Sequence, residues 1–277
     1  MAAIDNESYL YKNFFKGTTL VTYDTTIDSY NWNLILLVQF IAYFIINALL
    51  RKFAPGPGPI EDFEKRKKMR DYHTYYFQYT SLIHALVSVI GGNIFMISLN
   101  KAIDPIALYI GGYRYNQLNH IAPLIMNTHA LAYFLYDSII EKIYGTSDLL
   151  MDLHHICVLS VAFTVFRENH SGFELLGKIF RSIYCLIVLH LLAEVSNPSM
   201  ILRTMLRISG QRNSKLYKIN EVVFAVIFIL ARFFLTPLFA IYMFEAENVL
   251  YSVKFGVIFI LYVQMFWCYR IIELTFL

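Results

Sequence analysis

The residues of this chain best suited to chemistry are Asp152, His154, His155, His190 and Glu194, and each of them sits in an apolar run. They occur in DLLMDLHHICVLSVAFTVF (148–166) and in LLGKIFRSIYCLIVLHLLAEVSNPSMILRTMLR (175–207). An imidazole beside a carboxylate is the usual makings of a general base, and the same groups are hard N/O donors for a metal. An ionisable group in hydrocarbon costs a few kcal/mol or more, on the order of 3 by insertion scales, so it faces a protein interior or a watery cavity and marks a candidate site.

Helical spacing groups these residues. Asp148, Asp152 and His155 fall at i, i+4 and i+7 on one face, and His190 and Glu194 are an i, i+4 pair on the next helix. Pro198 ends that second helix, because it has no N–H to donate and disfavours a helical Asn197, so nearby carbonyls need other partners. Two more candidates lie further off. Asp137 sits within IAPLIMNTHALAYFLYDSIIEKI (121–143), and Arg232 within the apolar run of 221–244. A buried guanidinium needs a carboxylate or phosphate, and Glu194 is the expected partner. The expected polar cluster is therefore Asp137, Asp152, His155, His190, Glu194, Asn197 and Arg232. His84 reads as a core histidine bridging two membrane helices.

The elements that must position these groups follow from composition. The chain has 277 residues, of which 57% are hydrophobic and only 16% charged, and its mean hydropathy is +0.51. That is too apolar for an ordinary soluble domain, and several runs reach the roughly 20 residues that cross a bilayer. The fold class expected is all-α, a polytopic membrane bundle of about seven transmembrane helices. The spans are Asn33–Leu50, Tyr75–Leu99, Ile121–Ile143, Leu149–Phe166, Leu175–Val195, Glu221–Phe244 and Leu250–Glu273. A stiff PGPGP run (55–59) and the basic EDFEKRKKMRD (61–71) divide an N-terminal part, 1–54, from a membrane domain, 72–277.

Residues 1–31 read as a polar and aromatic interfacial segment without a cleavable signal, and 101–120 as an interfacial or re-entrant piece. Arg203–Lys218 reads as a basic loop. The basic clusters follow spans one and five, so the positive-inside rule places the N-terminus outside and the C-terminus inside. The sequons at Asn6 and Asn169 then share the outer side. The net charge of +3 suits topology and anionic headgroups rather than nucleic acid. Cys157, Cys185 and Cys268 show no metal-type spacing and read as buried free thiols.

The pieces SLIHAL (81–86), AYFLYDSII (132–140), DLHH (152–155), HLLAEVSNPSMILR (190–203) and ARFFLTP (231–237) resemble, in that order, the TRAM-LAG-CLN8 (TLC) domain family. The likeness covers about 70–270 and is nearer to the small members that are not ceramide synthases. It implies a six-helix TLC-like core around a cavity open to the bilayer. Ceramide synthases resemble the chain at His154-His155, which makes His154, His155 and His190 the catalytic candidates for acyl transfer. The chain departs from that pattern where it reads His190-Leu191-Leu192-Ala193-Glu194 instead of the family's His-Asp with a further Asp.

The functional expectation is a non-catalytic, lipid-binding or lipid-sensing membrane protein concerned with lipid homeostasis, with membrane lipids as partners. No cofactor is expected. A metal on Asp152, His155, His190 and Glu194 is weighed against a hydrogen-bonded interhelical network, and the network is preferred. Two other readings stand beside this: an accessory subunit of a large membrane complex, as in the mitochondrial inner membrane, and a ceramide-synthase-like acyltransferase. The membrane is either that of the endoplasmic reticulum and secretory pathway or the mitochondrial inner membrane.

Overall fold

The structure, a computed structural model, describes residues 32–65, 68–100, 121–168, 187–245 and 249–276. The expectations for 1–31, for 101–120, for residues 175–186 of the fifth span, for Cys185 and for the sequons at Asn6 and Asn169 fall outside these residues. Every element among the described residues is helical: α1 (Trp32–Phe53), α2 (Ile60–Lys65), α3 (Met69–Asn100), α4 (Ile121–Tyr144) and α5 (Leu149–Glu168). After them come a helical stretch over 187–194, α6 (Asn197–Ile208) and α7 (Lys215–Phe228). Then follow a π-helical segment (Ile229–Leu235), α8 (Thr236–Glu245) and α9 (Tyr251–Phe276).

Local chemistry sets the ends. Gly145 and Gly210 take φ of 61° and 76°, the left-handed conformation that glycine adopts without a Cβ penalty. Thr146 N then donates to Glu141 O at 2.9 Å and Gln211 N to Leu206 O at 2.8 Å, which closes α4 and α6. Asp148 Oδ1 accepts from Met151 N at 2.9 Å and Ser214 Oγ from Tyr217 N at 3.1 Å, capping the starts of α5 and α7. Arg203 and Arg207 thus belong to α6, and Lys215 and Lys218 to α7, so the expected loop over Arg203–Lys218 shrinks to residues 209–214. Arg203 is held across the α6–α7 hairpin by Glu221 Oε1 at 2.8 Å.

Three of the described helical stretches are long and apolar enough to cross a membrane: Trp32–Phe53, Lys215–Ile241 and Tyr251–Ile271. The apolar part of α5, Leu149–Thr164, is shorter. With 32 and 24 residues, α3 and α4 are long enough but carry many polar groups, so seven apolar spans are not what the described residues present. The apolar side chains of the three point outward. Leu34, Val38, Ile41 and Ile45 of α1 are exposed, as are Val222, Val226 and Leu230, and Phe255 and Ile258. A hydrocarbon solvent is the surrounding in which such faces are stable.

The packing closes a ring. In order around it, α3 contacts α4, α4 contacts α5, α5 contacts α9, α9 contacts the π segment, α7 contacts α6 and α6 returns to α3. Gly256 lets α9 approach α5 closely, since a Cβ there would lie 2.2 Å from Val161 Cγ2. Against the outside of this ring, α1 packs on α3 and α4, with Tyr43 joining Phe77, Ala132, Phe134 and Tyr136 in one buried cluster.

Candidate functional site: a polar-ended cavity

Inside the ring lies a cavity of about 520 Å³, a size typical of small-ligand pockets. Its walls come from α3, α4, α5, 187–194, α6, α7, the π segment and α9. Two polar clusters face it, and Phe134, Ile187, Leu189 and Phe228 are among its apolar lining.

The first cluster gathers around the broken helix. The break falls at Val195-Ser196, just ahead of the Asn197-Pro198 step that the sequence reading holds responsible. The helix resumes at Asn197, with Pro198 in the first turn of α6, where its missing N–H has no partner to lose. Arg232 fills the gap from the π segment: its Nη2 donates to the Ala193 carbonyl and, at 2.9 Å, to Asn197 Oδ1. Asn197 Nδ2 in turn donates to Glu194 Oε2 at 2.8 Å. Glu194 is therefore not Arg232's direct hydrogen-bond partner, as expected from sequence. Asn197 stands between them, because the turn at 195–196 brings its amide to both. The guanidinium also lies 4.8 Å from the Phe228 ring centre, and among the described residues its Nε has no hydrogen-bond partner.

The π segment explains how an arginine enters so apolar a helix. Its wider turn lets Thr236, through both backbone N–H and hydroxyl (2.8 Å), satisfy Ala231 O ahead of Pro237, which cannot donate. Wider turns of this kind recur at functional sites.

Three histidines complete this end. Tyr43 Oη lies 3.2 Å from His84 Nδ1 and 3.1 Å from His129 Nε2, and His190 Nε2 lies 2.8 Å from Ser88 Oγ. His84 stacks on Tyr133 at 3.7 Å with 7° between the rings, and its Nε2 is 4.0 Å from Glu194 Oε1.

The second cluster is an imidazole between two acids. His155 Nε2 is 3.4 Å from Asp137 Oδ2, and its Nδ1 is 3.7 Å from Glu141 Oε2 and 3.3 Å from Ser138 Oγ. Asp152 stands apart. It is outside the cavity lining, partly exposed and paired with Lys142. Its i, i+3 relation to His155 gives it a similar face, but α4 ends beside it and offers Lys142, so it turns to the rim.

Six of the seven expected cluster residues thus line one cavity: Asp137, His155, His190, Glu194, Asn197 and Arg232. Of the catalytic candidates, His155 has carboxylates on both ring nitrogens. His190 is turned to Ser88. His154 packs edge-on to Trp267 at 5.4 Å, and among the described residues its Nδ1 has no hydrogen-bond partner. The sequence reading left out Glu141, which its i, i+4 spacing from Asp137 would have flagged. It read His84 as a core histidine outside the cluster, and left out Ser88, one turn further along α3, and Tyr43, which no motif marks.

Helices of this length with outward apolar faces define an integral membrane protein. The TLC domain profile (TRAM/LAG1/CLN8) matches residues 78–273, most of the chain, so the chain belongs to the TLC-domain family. No curated protein shows a significant match to it.

Proposed function

We propose that this chain is a multi-pass membrane protein that binds a lipid in the ring-enclosed cavity and performs no chemistry on it. In this reading α3, α4, α5 and the helix ending at Glu194 join the three apolar helices to make seven spans around the site. The single observation that carries the reading is Arg232: a guanidinium lining a 520 Å³ cavity, held on one side by neutral acceptors and with Nε unpartnered among the described residues. A lipid carbonyl, carboxylate or phosphate oxygen is the acceptor such a group favours, and the apolar wall by Phe134, Ile187 and Leu189 suits the tail.

The departure at His190-Glu194 and the aromatic packing of His154 support a non-catalytic role. One observation favours the acyltransferase reading instead, the Asp137–His155 contact at 3.4 Å, which has the form of a general-base pair.

Native mass spectrometry of the protein extracted in mild detergent tests the proposal. The wild type is expected to carry lipid at fixed stoichiometry and Arg232→Met to lose it, whereas a wild type that carries none overturns the reading. Acyl transfer from an acyl-CoA that disappears in His155→Gln would establish the enzyme. Protein subunits retained at fixed stoichiometry would support the accessory-subunit reading.

A further inference from the structure

We propose that His84, His190 and Glu194 form a binding site for one divalent transition-metal ion of the zinc class, set in the cavity wall. One ring nitrogen of each histidine and one carboxylate oxygen of Glu194 lie within 4.8 Å of one another. They come from two helices: His84 from α3, and His190 and Glu194, one turn apart, from the stretch 187–194.

The observation that points to a ligand is His84 Nε2. His84 is 1% exposed, and among the described residues no hydrogen-bond partner reaches that nitrogen, although it faces Glu194 Oε1 at 4.0 Å. A buried imidazole nitrogen without a partner is costly, and a metal ion would satisfy it.

The surroundings are those of metal ligands, whose far atoms are normally held by hydrogen bonds that fix ring and carboxylate orientation. Tyr43 Oη sits on His84 Nδ1, Ser88 Oγ fixes the His190 ring, and Asn197 Nδ2 holds Glu194 Oε2. Asn197 also keeps Arg232 off the carboxylate, which leaves Oε1 directed at the imidazoles. Two nitrogens and a carboxylate oxygen are a zinc-type donor set, with bonds of about 2.0–2.2 Å and donor atoms about 3.3–3.5 Å apart in a tetrahedron. From 4.0 Å, His84 and Glu194 need close by only about half an ångström to reach that spacing. Because His190 and Glu194 line the cavity, the fourth position opens toward it and would take water or an oxygen of a bound molecule.

The other group of possible donors, Asp137, Glu141 and His155, is arranged differently. Its two acids lie closest to opposite nitrogens of one ring, at 3.4 and 3.7 Å, so the imidazole sits between the acids rather than beside both. That geometry is an imidazole set between two carboxylates.

The site does not depend on a lipid occupying the cavity, and its test uses metal alone. Full-length protein, purified without a polyhistidine tag, is stripped with chelator, loaded with Zn²⁺ or Co²⁺ and dialysed. One metal per chain is expected, with a tetrahedral visible spectrum for the cobalt form. Affinity should fall about a hundredfold in His84→Gln and in Glu194→Gln, about tenfold in Tyr43→Phe, and stay unchanged in His155→Gln. The cobalt spectrum of the wild type needs no variant, so a misfolded variant does not obscure the answer. Wild type that retains no metal, an octahedral cobalt spectrum, or metal lost in His155→Gln but kept in His84→Gln would each overturn the assignment.

Discussion

The two polar ends of the cavity are built from similar residues and behave as different kinds of structure. At the Arg232 end the core of the network comes from interrupted helices: the break at Val195-Ser196 frees the Ala193 carbonyl, and the π segment delivers the guanidinium that takes it. At the His155 end, two regular helices, α4 and α5, meet through one imidazole between two acids, and the ladder continues outward to the Lys142–Asp152 pair at the rim. The first arrangement exists only if the backbone deforms, so it holds side chains that have no other place to go. The second needs only helical spacing and can exchange partners with water at its edge.

The largest effect expected of any substitution is at Arg232. Arg232→Met removes the donor shared by Ala193 O and Asn197 Oδ1 and should destabilise the protein by about 3 kcal/mol, the magnitude seen when one partner of a buried charged contact is deleted. Denaturant unfolding in detergent measures it. A loss below about 1 kcal/mol would mean that the broken-helix end is as adaptable as the other, and the contrast would fail.

Gly256→Ala comes next. Its Cβ would fall 2.2 Å from Val161 Cγ2, across the α5–α9 seam that closes the ring, and overpacking of this kind costs about 1–3 kcal/mol. Adding Val161→Ala should restore much of the loss, and only that recovery shows that the cost arises at this contact.

His155→Gln should cost about 1–2 kcal/mol, since it leaves Asp137 and Glu141 without the imidazole between them. In Glu141→Gln the remaining Asp137–His155 pair should hold, and His155→Gln should cost less in that background than in the wild type. Equal costs in the two backgrounds would show that His155 does not couple to Glu141.

What the sequence made legible follows the same division. The His155 end was legible in part: Asp137 and His155 stood out as ionisable groups in apolar helices, but Glu141, at i, i+4 from Asp137, was missed, and Asp152, on the face of His155, turns to the rim. Pro198 marked the break, and the position of Arg232 inside an apolar run marked it as needing a partner. The identity of that partner was not legible. Glu194 looked right by charge, but the local turn decides that Asn197 intervenes, and turn geometry at a single residue is not encoded in periodicity. Tyr43 was equally hidden: it reaches the histidines because α1 packs on the ring, and nothing in an outlying apolar span predicts which tyrosine turns inward. Among the described residues only three helices are apolar enough to count as spans, because α3 and α4 carry polar groups such as Ser88, Asn127 and Asp137 toward the cavity, and average hydropathy understates helices that line a polar interior.

The rim supplies the smallest effects and the one pH dependence. Lys142 is 61% exposed in its side chain, and Lys142→Ala should leave the unfolding midpoint unchanged, as is common for surface pairs. His73 differs. It stacks on Tyr144 at 4.4 Å and lies 3.3 Å from Arg51 Nη1, and burial, with the Arg51 charge behind it, lowers its pKa below the usual value. The unfolded chain therefore binds a proton at this residue before the folded one does, and stability is full above a pH of about 6.5 and declines as pH falls below it. Thermal midpoints measured across that range should drop on acidification in the wild type and drop less in His73→Phe, which keeps the stacking and cannot protonate. Parallel curves would remove His73 from the account and leave the α1–α3 junction without a titrating group.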